Sequence, residues 1–141
     1  MMGVMREGGY GIEKNLEKSA NWYLMAAEAG LPSAQFNLGI FYQLGQGVRK
    51  STAEAFTWHN RAARQGHASA QNNLASLYFT GEGIEKDSIE AWKWYDIAAR
   101  TLKGNARRIA IENRDKVSRT LSDDERATAK RRANDFKAVR E

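Results

Sequence analysis

The sequence predicts an all-α fold, a right-handed α-solenoid in which antiparallel helix hairpins stack side by side. The first observation is a fixed period, because Trp22, Trp58 and Trp94 are spaced 36 residues apart. The second is that each tryptophan begins the same phrase, Trp-x-x-x-Ala-Ala. A repeat of this length is one hairpin that cannot bury its own apolar face, so the hairpins have to share a core.

The first predicted element is a partial repeat over residues 1–29. Counting back one period from the helical segment at 38–41 gives residues 2–5, so the chain is expected to open inside a first helix. Residues 9–12 lie one period before the glycine pair that starts at Gly45, and a turn is expected there. We interpret this element as a degenerate repeat or as the start of a fragment of a longer array.

The second element is a complete hairpin over residues 30–65. Its first helix is predicted from Ser33 to Leu44, because apolar side chains recur there at helical spacing and form one stripe. Gly45 is expected to end this helix, since glycine adopts a positive φ at little cost and is the usual C′ residue. The stripe consists of Ala34, Leu38, Phe41 and Tyr42.

The second helix of that hairpin follows a capping box from Ser51 to Glu54, whose side chains can satisfy free N–H groups at the helix start. It passes through Trp58 and ends at the next glycine. The alanines at positions 62 and 63 have a packing reason. Two helices approach closely only where side chains are small, which leaves room for a large ring nearby.

The third element, residues 66–101, repeats these signals, including a capping box from Asp87 to Glu90. The last element, residues 102–141, is expected to be a divergent C-terminal capping hairpin. A third capping box, Ser122 to Glu125, starts its final helix, but the tryptophan is lost and the apolar register shifts by two residues. A terminal unit of this kind can carry a charged outer face because no further repeat covers it.

The repeated phrases point to a family. One period separates Ala34-Gln-Phe-Asn-Leu38 from Ala70-Gln-Asn-Asn-Leu74, and Tyr-x-x-Gly-x-Gly-Val/Ile follows each of them. Together with the tryptophan phrase, this pattern resembles the Sel-1-like repeat, a relative of the tetratricopeptide repeat, over about residues 1 to 106. The resemblance implies a tetratricopeptide-like superhelix that acts as an adaptor or scaffold, usually without catalysis, in signalling, protein quality control or bacterial envelope and host-interaction roles.

Composition narrows the classes of function. The chain has 141 residues and no cysteine, which removes disulfides, thiol nucleophiles and thiolate metal sites together. Cysteine-rich members of the family staple each hairpin with a disulfide, and this chain departs from them. No apolar run reaches the roughly 18 residues of a membrane span, and the first residues lack a signal-peptide pattern. The compartment stays open between the cytoplasm and the periplasm.

No catalytic constellation is recognised, so the chain is predicted to be neither an enzyme nor a protein that holds a cofactor or a metal ion. The glycine pairs of the turns lack a preceding strand and a Gly-Lys-Ser/Thr ending, which argues against a phosphate loop. His59 and His67 have no ligand partner at i+3 or i+4 and are expected to be surface residues. Asn37 and Asn73 recur at an inward position, where an amide usually bonds neighbouring backbone and fixes register.

The candidate binding site is the concave groove. In hairpins of the tetratricopeptide kind, the first helix of each unit lines this side. An apolar cluster with a polar rim often marks a partner site. We predict that a segment of another protein or peptide lies there, anchored on Phe36 and Phe79 and oriented by Arg108. Packing under the adjacent hairpin, or against a second copy as a homo-oligomer contact, is the alternative. The predicted groove residues are Phe36, Ile40, Gln43, Asn72, Ser76, Phe79, Arg108, Glu112 and Asp115.

The basic C-terminal part supports another function. Residues 1–100 hold ten basic and ten acidic side chains, whereas 101–141 hold twelve and seven, so this part carries the whole net charge of +5. The run Lys130-Arg-Arg132, with Arg107 and Arg108, would attract nucleic acid or an anionic surface. A solvated face on a terminal helix is the favoured interpretation of such a run. A third alternative is a fragment of a scaffold whose binding site lies in other repeats.

Overall fold

Over residues 2–141, the computed structural model consists of seven α-helices. The structure describes the backbone of residues 2–141 and the side chains of residues 14–141. Each helix packs on the next as far as α6, and α7 packs on α5. The described backbone contains no strand, so the predicted all-α helical repeat solenoid is confirmed. The helices are α1 (Met2–Glu28), α2 (Pro32–Leu44), α3 (Thr52–Arg64), α4 (Ala68–Thr80), α5 (Ser88–Thr101), α6 (Gly104–Ser118) and α7 (Asp123–Asp135).

The first helix departs from the prediction. α1 is continuous from Met2 to Glu28, so the turn expected at residues 9–12 is wrong. The turns after α2 and α4 each follow a helix of 13 residues, which packs against the helix behind the turn. Glycine lowers the propensity for helix but does not exclude it, so a glycine pair permits a turn without imposing one. The side chains predicted to open a first helix at 2–5 lie outside the described residues.

The two later glycine turns form as predicted. Gly45 and Gly81 both have a φ of 69°, and each donates its N–H to the carbonyl four residues earlier. This left-handed conformation ends a helix, and glycine adopts it without strain. A Cβ on Gly83 would lie 2.5 Å from Cβ of Thr52, so the turn of one repeat packs tightly against a helix start of the repeat before it.

The predicted caps are present, although only one capping box is complete. Ser51 and Asp87 each accept a hydrogen bond from the backbone N–H three residues later, at 3.1 Å. Ser122 does the same for Glu125, whose carboxylate in turn accepts a hydrogen bond from the Ser122 N–H at 2.8 Å. Side-chain capping therefore starts α3, α5 and α7, the helices for which the sequence predicts it.

Tryptophan and alanine form the core at the joints between helices. Trp58 and Trp94 are 7% and 1% exposed, but Trp22 is 63% exposed, so the three tryptophans of the repeat do not have the same surroundings. Trp58 clusters with Ala27, which belongs to the unit before it, and with Leu38 of its own hairpin. No unit that the structure describes precedes Trp22, and its ring therefore stays uncovered. The fully buried alanines of the joints are Ala27, Ala62, Ala63 and Ala98.

The C-terminal part is attached to α5 by polar and aromatic contacts. The carboxylate of Asp96 on α5 forms a salt bridge with the guanidinium of Arg114 on α6, with an N–O distance of 2.9 Å. The ring of Phe136, which directly follows α7, stands edge-on to Trp94 with ring centroids 5.2 Å apart. Residues 136–141, called the tail segment below, then leave the helix and contact the earlier repeats.

Candidate interaction surface

A cleft opens where α2, α4 and α6 come together. Its volume is 400 Å³, and apolar, amide and hydroxyl side chains line it. The first helices of successive repeat units thus contribute to one surface. Of the nine predicted groove residues, this cleft contains Phe36, Ile40 and Asn72. The full lining consists of Phe36, Ile40, Ser69, Asn72, Asn73, Leu102, Ala106 and Ile109.

One wall of the cleft is the aromatic ring of Phe36, which packs against two histidines. The Phe36 ring stacks on His67 with centroids 4.8 Å apart and an interplanar angle of 30°, and it contacts His59 at 5.6 Å. The ring stays half-buried. On another wall Ile109 is 41% exposed. An apolar surface fixed in this way is pre-organised, so an incoming apolar side chain would meet it at a small entropic cost.

Asn72 brings an unpaired polar atom to the same cleft. Its Oδ1 is buried and has no hydrogen-bond partner among the described residues. Leaving a buried acceptor unpaired costs about 1–3 kcal/mol. If the Asn72 side chain rotates so that Oδ1 faces the cleft, a donor from outside, such as the backbone N–H of an extended peptide, would remove that cost.

The other predicted residues of α2 and α4 lie outside the cleft. Gln43 accepts a hydrogen bond through Oε1 from Nε2 of His59 at 2.8 Å. Ser76 is exposed. Phe79 packs against the core, and the Lys86 ammonium lies 5.1 Å from its ring centre. Phe36 and Phe79 therefore do not form a joint anchor in this cleft.

The three predicted residues of α6 do not line the cleft either. Arg108 and Glu112 form an exposed ion pair at 2.7 Å. Asp115 lines a separate depression between α5, α6 and α7. Ile109 lies in the cleft instead, and Arg108 is turned about 100° from it around the helix axis. The sequence period could have predicted that Ile109 lies in the cleft, because Ile109 stands one period after Asn73, which also lines it.

His59 is buried, so the prediction that it is a surface residue is wrong. None of its surface is exposed, and a Cβ on Gly39 would come within 2.5 Å of its Cε1. Burial, with a smaller contribution from His67, lowers the pKa of His59 to about 4. The imidazole is therefore neutral at physiological pH, and its Nε2 carries the proton donated to Gln43. His67 is half-buried, and its Nδ1 accepts a hydrogen bond from the N–H of Ala70, one of the free N–H groups in the first turn of α4.

Polar side chains fix the joints between repeats. Gln35, Gln71 and Arg107 are spaced one period apart, and each donates to the carbonyl eight residues earlier, at 3.1, 3.1 and 3.0 Å. The acceptor lies near the end of the preceding helix, so this joint lock ties one hairpin to the next. In the described part of the chain, these residues take the role expected of Asn37 and Asn73. Asn37 and Asn73 lie two positions after these glutamines, and residues two positions apart in a helix point in directions about 200° apart around its axis.

Several basic residues considered for nucleic-acid binding are engaged within the chain. Arg107, Arg108 and Arg132 each bond a carbonyl or a carboxylate of the protein itself. Lys130 and Arg131 are exposed and make no ion pair with any residue that the structure describes. Of the five basic residues named for this function, two therefore stay without an ion pair to the described part of the chain, and binding to nucleic acid stays a prediction.

Comparison with known proteins decides the family. A sequence profile of the Sel1 repeat matches residues 1–31, 32–67 and 68–100. The chain belongs to the Sel1 repeat family. The resemblance seen in the sequence is confirmed, and Sel1 repeat proteins typically serve as scaffolds for protein–protein interaction and are generally non-catalytic.

Three known proteins show the extent of the similarity, and the chain spans less than half the length of each. A putative sel1-like repeat-containing protein of Acanthamoeba polyphaga mimivirus is 44% identical over 41 residues, 29% of this chain and 8% of that protein. A protective antigen of uropathogenic Escherichia coli with an SLR fold superposes with a TM-score of 0.79 at 32% identity, over 85% of this chain and 25% of the antigen. A Sel1 repeat protein from Oxalobacter formigenes gives 0.63 at 42% identity, over 74% and 43%.

Two further properties of the Sel1 array concern membranes and metals. None of the helices in the described part of the chain combines the length and the apolarity needed to cross a bilayer. Among residues 14–141, no three histidine or acidic side chains are grouped so as to hold a metal ion.

Proposed function

We propose that this Sel1 array binds an extended segment of a partner protein in the cleft between α2, α4 and α6 and acts as a non-catalytic adaptor. The observation that carries the proposal is that one cleft combines a fixed apolar wall at Phe36 with Asn72, whose buried Oδ1 has no hydrogen-bond partner among the described residues. Apolar burial would supply affinity, and the amide would orient the peptide backbone.

The geometry defines the contacts expected of such a segment. An apolar side chain would lie between Phe36 and Ile109. A backbone N–H of the same segment would donate to Asn72 Oδ1 once the amide has rotated toward the cleft. Residues 30–65 and 66–101 act as the repeats that present the cleft in this proposal. Residues 102–141 act as a capping hairpin, whose first helix completes one wall.

Selection from a phage-displayed peptide library, with the intact chain as bait, tests the proposal. Ile109→Asp adds a charge to the cleft at a position that is already exposed, so the affinity of the enriched peptides should fall by about 10-fold or more, or ~1.4 kcal/mol. Fluorescence anisotropy with labelled peptides measures this change, and circular dichroism checks that helicity is kept.

A matched control is available on α2. Leu44 is an apolar residue that is 60% exposed and lies outside the cleft, so Leu44→Asp makes the same chemical change elsewhere. The enriched peptides should bind this variant as tightly as the parent chain. Equal binding to the parent and to Ile109→Asp would reject the cleft as the binding site.

A further inference from the structure

The tail segment occupies a second surface, separate from the proposed cleft. It starts at Phe136, which contacts Trp94, and it runs back toward the N-terminal repeats along the edge where one repeat joins the next. Val139 donates its N–H to the carbonyl of Arg64 at 2.9 Å. The tail is thus bound through its backbone, as an extended peptide ligand would be.

Two glycines of successive joints provide the surface on which the tail lies. Gly30 and Gly66 have φ values of 96° and 98°. A Cβ built on Gly66 would come within 3.2 Å of Ala138, and one on Gly30 within 3.2 Å of Cβ of Glu141. Three residues of extended chain span about 10 Å, close to the roughly 8–10 Å between neighbouring packed helices. Ala138 and Glu141, three positions apart, therefore meet two successive joints.

The carboxylate of Glu141 enters a polar site made by three side chains. Arg61 contacts it at 2.6 Å, and Gln35 donates to the same oxygen, Oε1, at 2.9 Å. Gln65 accepts the backbone N–H of Glu141 at 3.3 Å. The Arg61 guanidinium also lies 4.7 Å from the centre of the Trp58 ring, which orients it toward the tail.

This acid-binding site exists at one joint only within the described repeats. Met25 and Ile97 stand one period before and one period after Arg61, and neither can bind a carboxylate. The hydrogen bond from Arg61 also lowers the pKa of Glu141, so the carboxylate is ionised when it is bound. Because, among the described joints, only the joint with Arg61 has this basic side chain, an acidic residue can bind at that joint and not at the equivalent positions of the neighbouring repeats.

We infer that this joint track, made of Gly30, Gln35, Arg61, Gln65 and Gly66, is a docking site for an extended segment of a partner protein that carries a small residue followed three positions later by Asp or Glu. The tail segment is its intramolecular competitor. A tethered competitor acts at an effective concentration on the order of millimolar, so the partner segment binds when the tail is displaced. The inference does not depend on the cleft, because the two sites share no residue.

A labelled copy of the tail tests this inference in the full-length chain. The probe is fluorescein-Phe-Lys-Ala-Val-Arg-Glu-amide, in which the C-terminal amide leaves the glutamate side chain as the only carboxylate of the peptide itself. Val139→Pro combined with Glu141→Gln removes the backbone donor of Val139 and the charge of the Glu141 side chain, and gives a tail-released chain. Anisotropy should show at least about 10-fold tighter binding of the probe to the tail-released chain than to the parent.

Two controls distinguish the joint track from other basic surfaces. Adding Arg61→Gln to the tail-released chain should abolish probe binding, whereas adding Arg131→Gln, the same change at an exposed arginine of α7, should leave it unchanged. A probe with glutamine in place of glutamate should bind at least about 10-fold more weakly. Circular dichroism melts confirm that each variant is folded.

Three results would overturn the inference. The first is no gain in affinity when the tail is released, and the second is equal loss from the Arg61 and Arg131 changes. The third is a parent chain that is dimeric by light scattering and becomes monomeric with Glu141→Gln, because the tail would then bind a second copy. Ile109→Asp should not affect the probe, so a failure of the cleft proposal remains distinguishable.

Discussion

His59 shows how a polar side chain becomes a core residue. Glycine at position 39 leaves room for the ring, Gln43 pairs with Nε2, and Phe36 covers one side of it. Its Nδ1 is buried without a partner among the described residues. A proton on this ring would therefore be held in a site with no counter-charge, which explains why burial lowers its pKa.

Acid should destabilise the chain through His59. The unfolded chain binds a proton at this residue with the ordinary pKa of 6.5, whereas the folded chain does so only near 4. Between these values the unfolded state holds more protons, so stability is lost as the pH falls from about 6.5 toward about 4. The loss reaches about 3 kcal/mol. About 2 kcal/mol of this loss is reached at about pH 5, and urea unfolding at about pH 7.5 and about pH 5 measures that part.

Glutamine variants assign this pH dependence. His59→Gln removes the titrating group and should flatten the dependence of the free energy of unfolding on pH in this window. His67→Gln is the matched control, and because His67 is less buried, most of the dependence should remain. A His59→Gln chain that keeps the full slope would show that another group causes it.

Residues whose role depends on sequence neighbours were predictable. Ser51 caps the N–H three residues away, and Gly45 closes the helix that it follows. His59 depends on Gly39, which is 20 residues earlier and contacts the ring only after α2 and α3 have packed. The burial of His59 could not be read from the spacing of histidines and acids.

Among the elements, the joint between helices is defined by small side chains and by the joint lock. Ala62 and Ala63 are fully buried where α3 meets its neighbours. Gln71 then bonds the Ala63 carbonyl. Close approach and hydrogen bonding therefore act at the same point, and a larger side chain has no free space there.

Ala62→Leu should overpack this joint. Insertion of extra methylene groups into a filled core usually costs about 1–3 kcal/mol, because neighbours have to leave their preferred rotamers. Thermal melts followed by circular dichroism measure the loss. Ala53→Leu makes the same change at an exposed position of the same helix and should melt like the parent. Equal melting temperatures for all three chains would contradict the packing assignment.

The helices were predictable where hairpin packing and local signals agree. α2 to α5 have glycine ends, side-chain caps or apolar stripes that match the structure. The predicted turn at residues 9–12 has the same glycines, but in α1 the helix passes through them. A glycine pair permits a turn, and a partner helix of sufficient length is needed to hold it.

For the whole molecule, the core divides into two clusters along the array. One contains Leu38 and Trp58 and belongs to α1, α2 and α3, while the other contains Leu74 and Trp94 and extends from α3 to α7. Arrays of this kind are held mainly by contacts between nearest neighbours, so local opening need not spread to the other end.

Equivalent substitutions in the two clusters should increase hydrogen exchange in different sets of helices. Leu38 and Leu74 are one period apart and both fully buried. Each change to alanine removes about 2–5 kcal/mol of packing. Leu38→Ala should increase hydrogen exchange in α1 and α2 and leave α5 to α7 protected, as mass spectrometry can resolve. Leu74→Ala should increase exchange over the larger cluster. Uniform increases in both variants would instead indicate one cooperative unit.

The candidate sites were predictable only in part from the sequence. The period located Phe36, Ile40 and Asn72 on the first helices, and the structure places them in one cleft. Whether these three contact a ligand stays a prediction. The sequence period did not locate the joint track, because Arg61 and Glu141 are 80 residues apart and meet only when the array has formed.

The joint lock also explains how such chains can change in length. Donor and acceptor lie eight residues apart at every occurrence, so no lock depends on a distant segment. Excising or duplicating one 36-residue unit leaves each remaining lock with both of its atoms. Recombination between genes can therefore lengthen or shorten this architecture in whole units, while the ends keep their own specialised contacts.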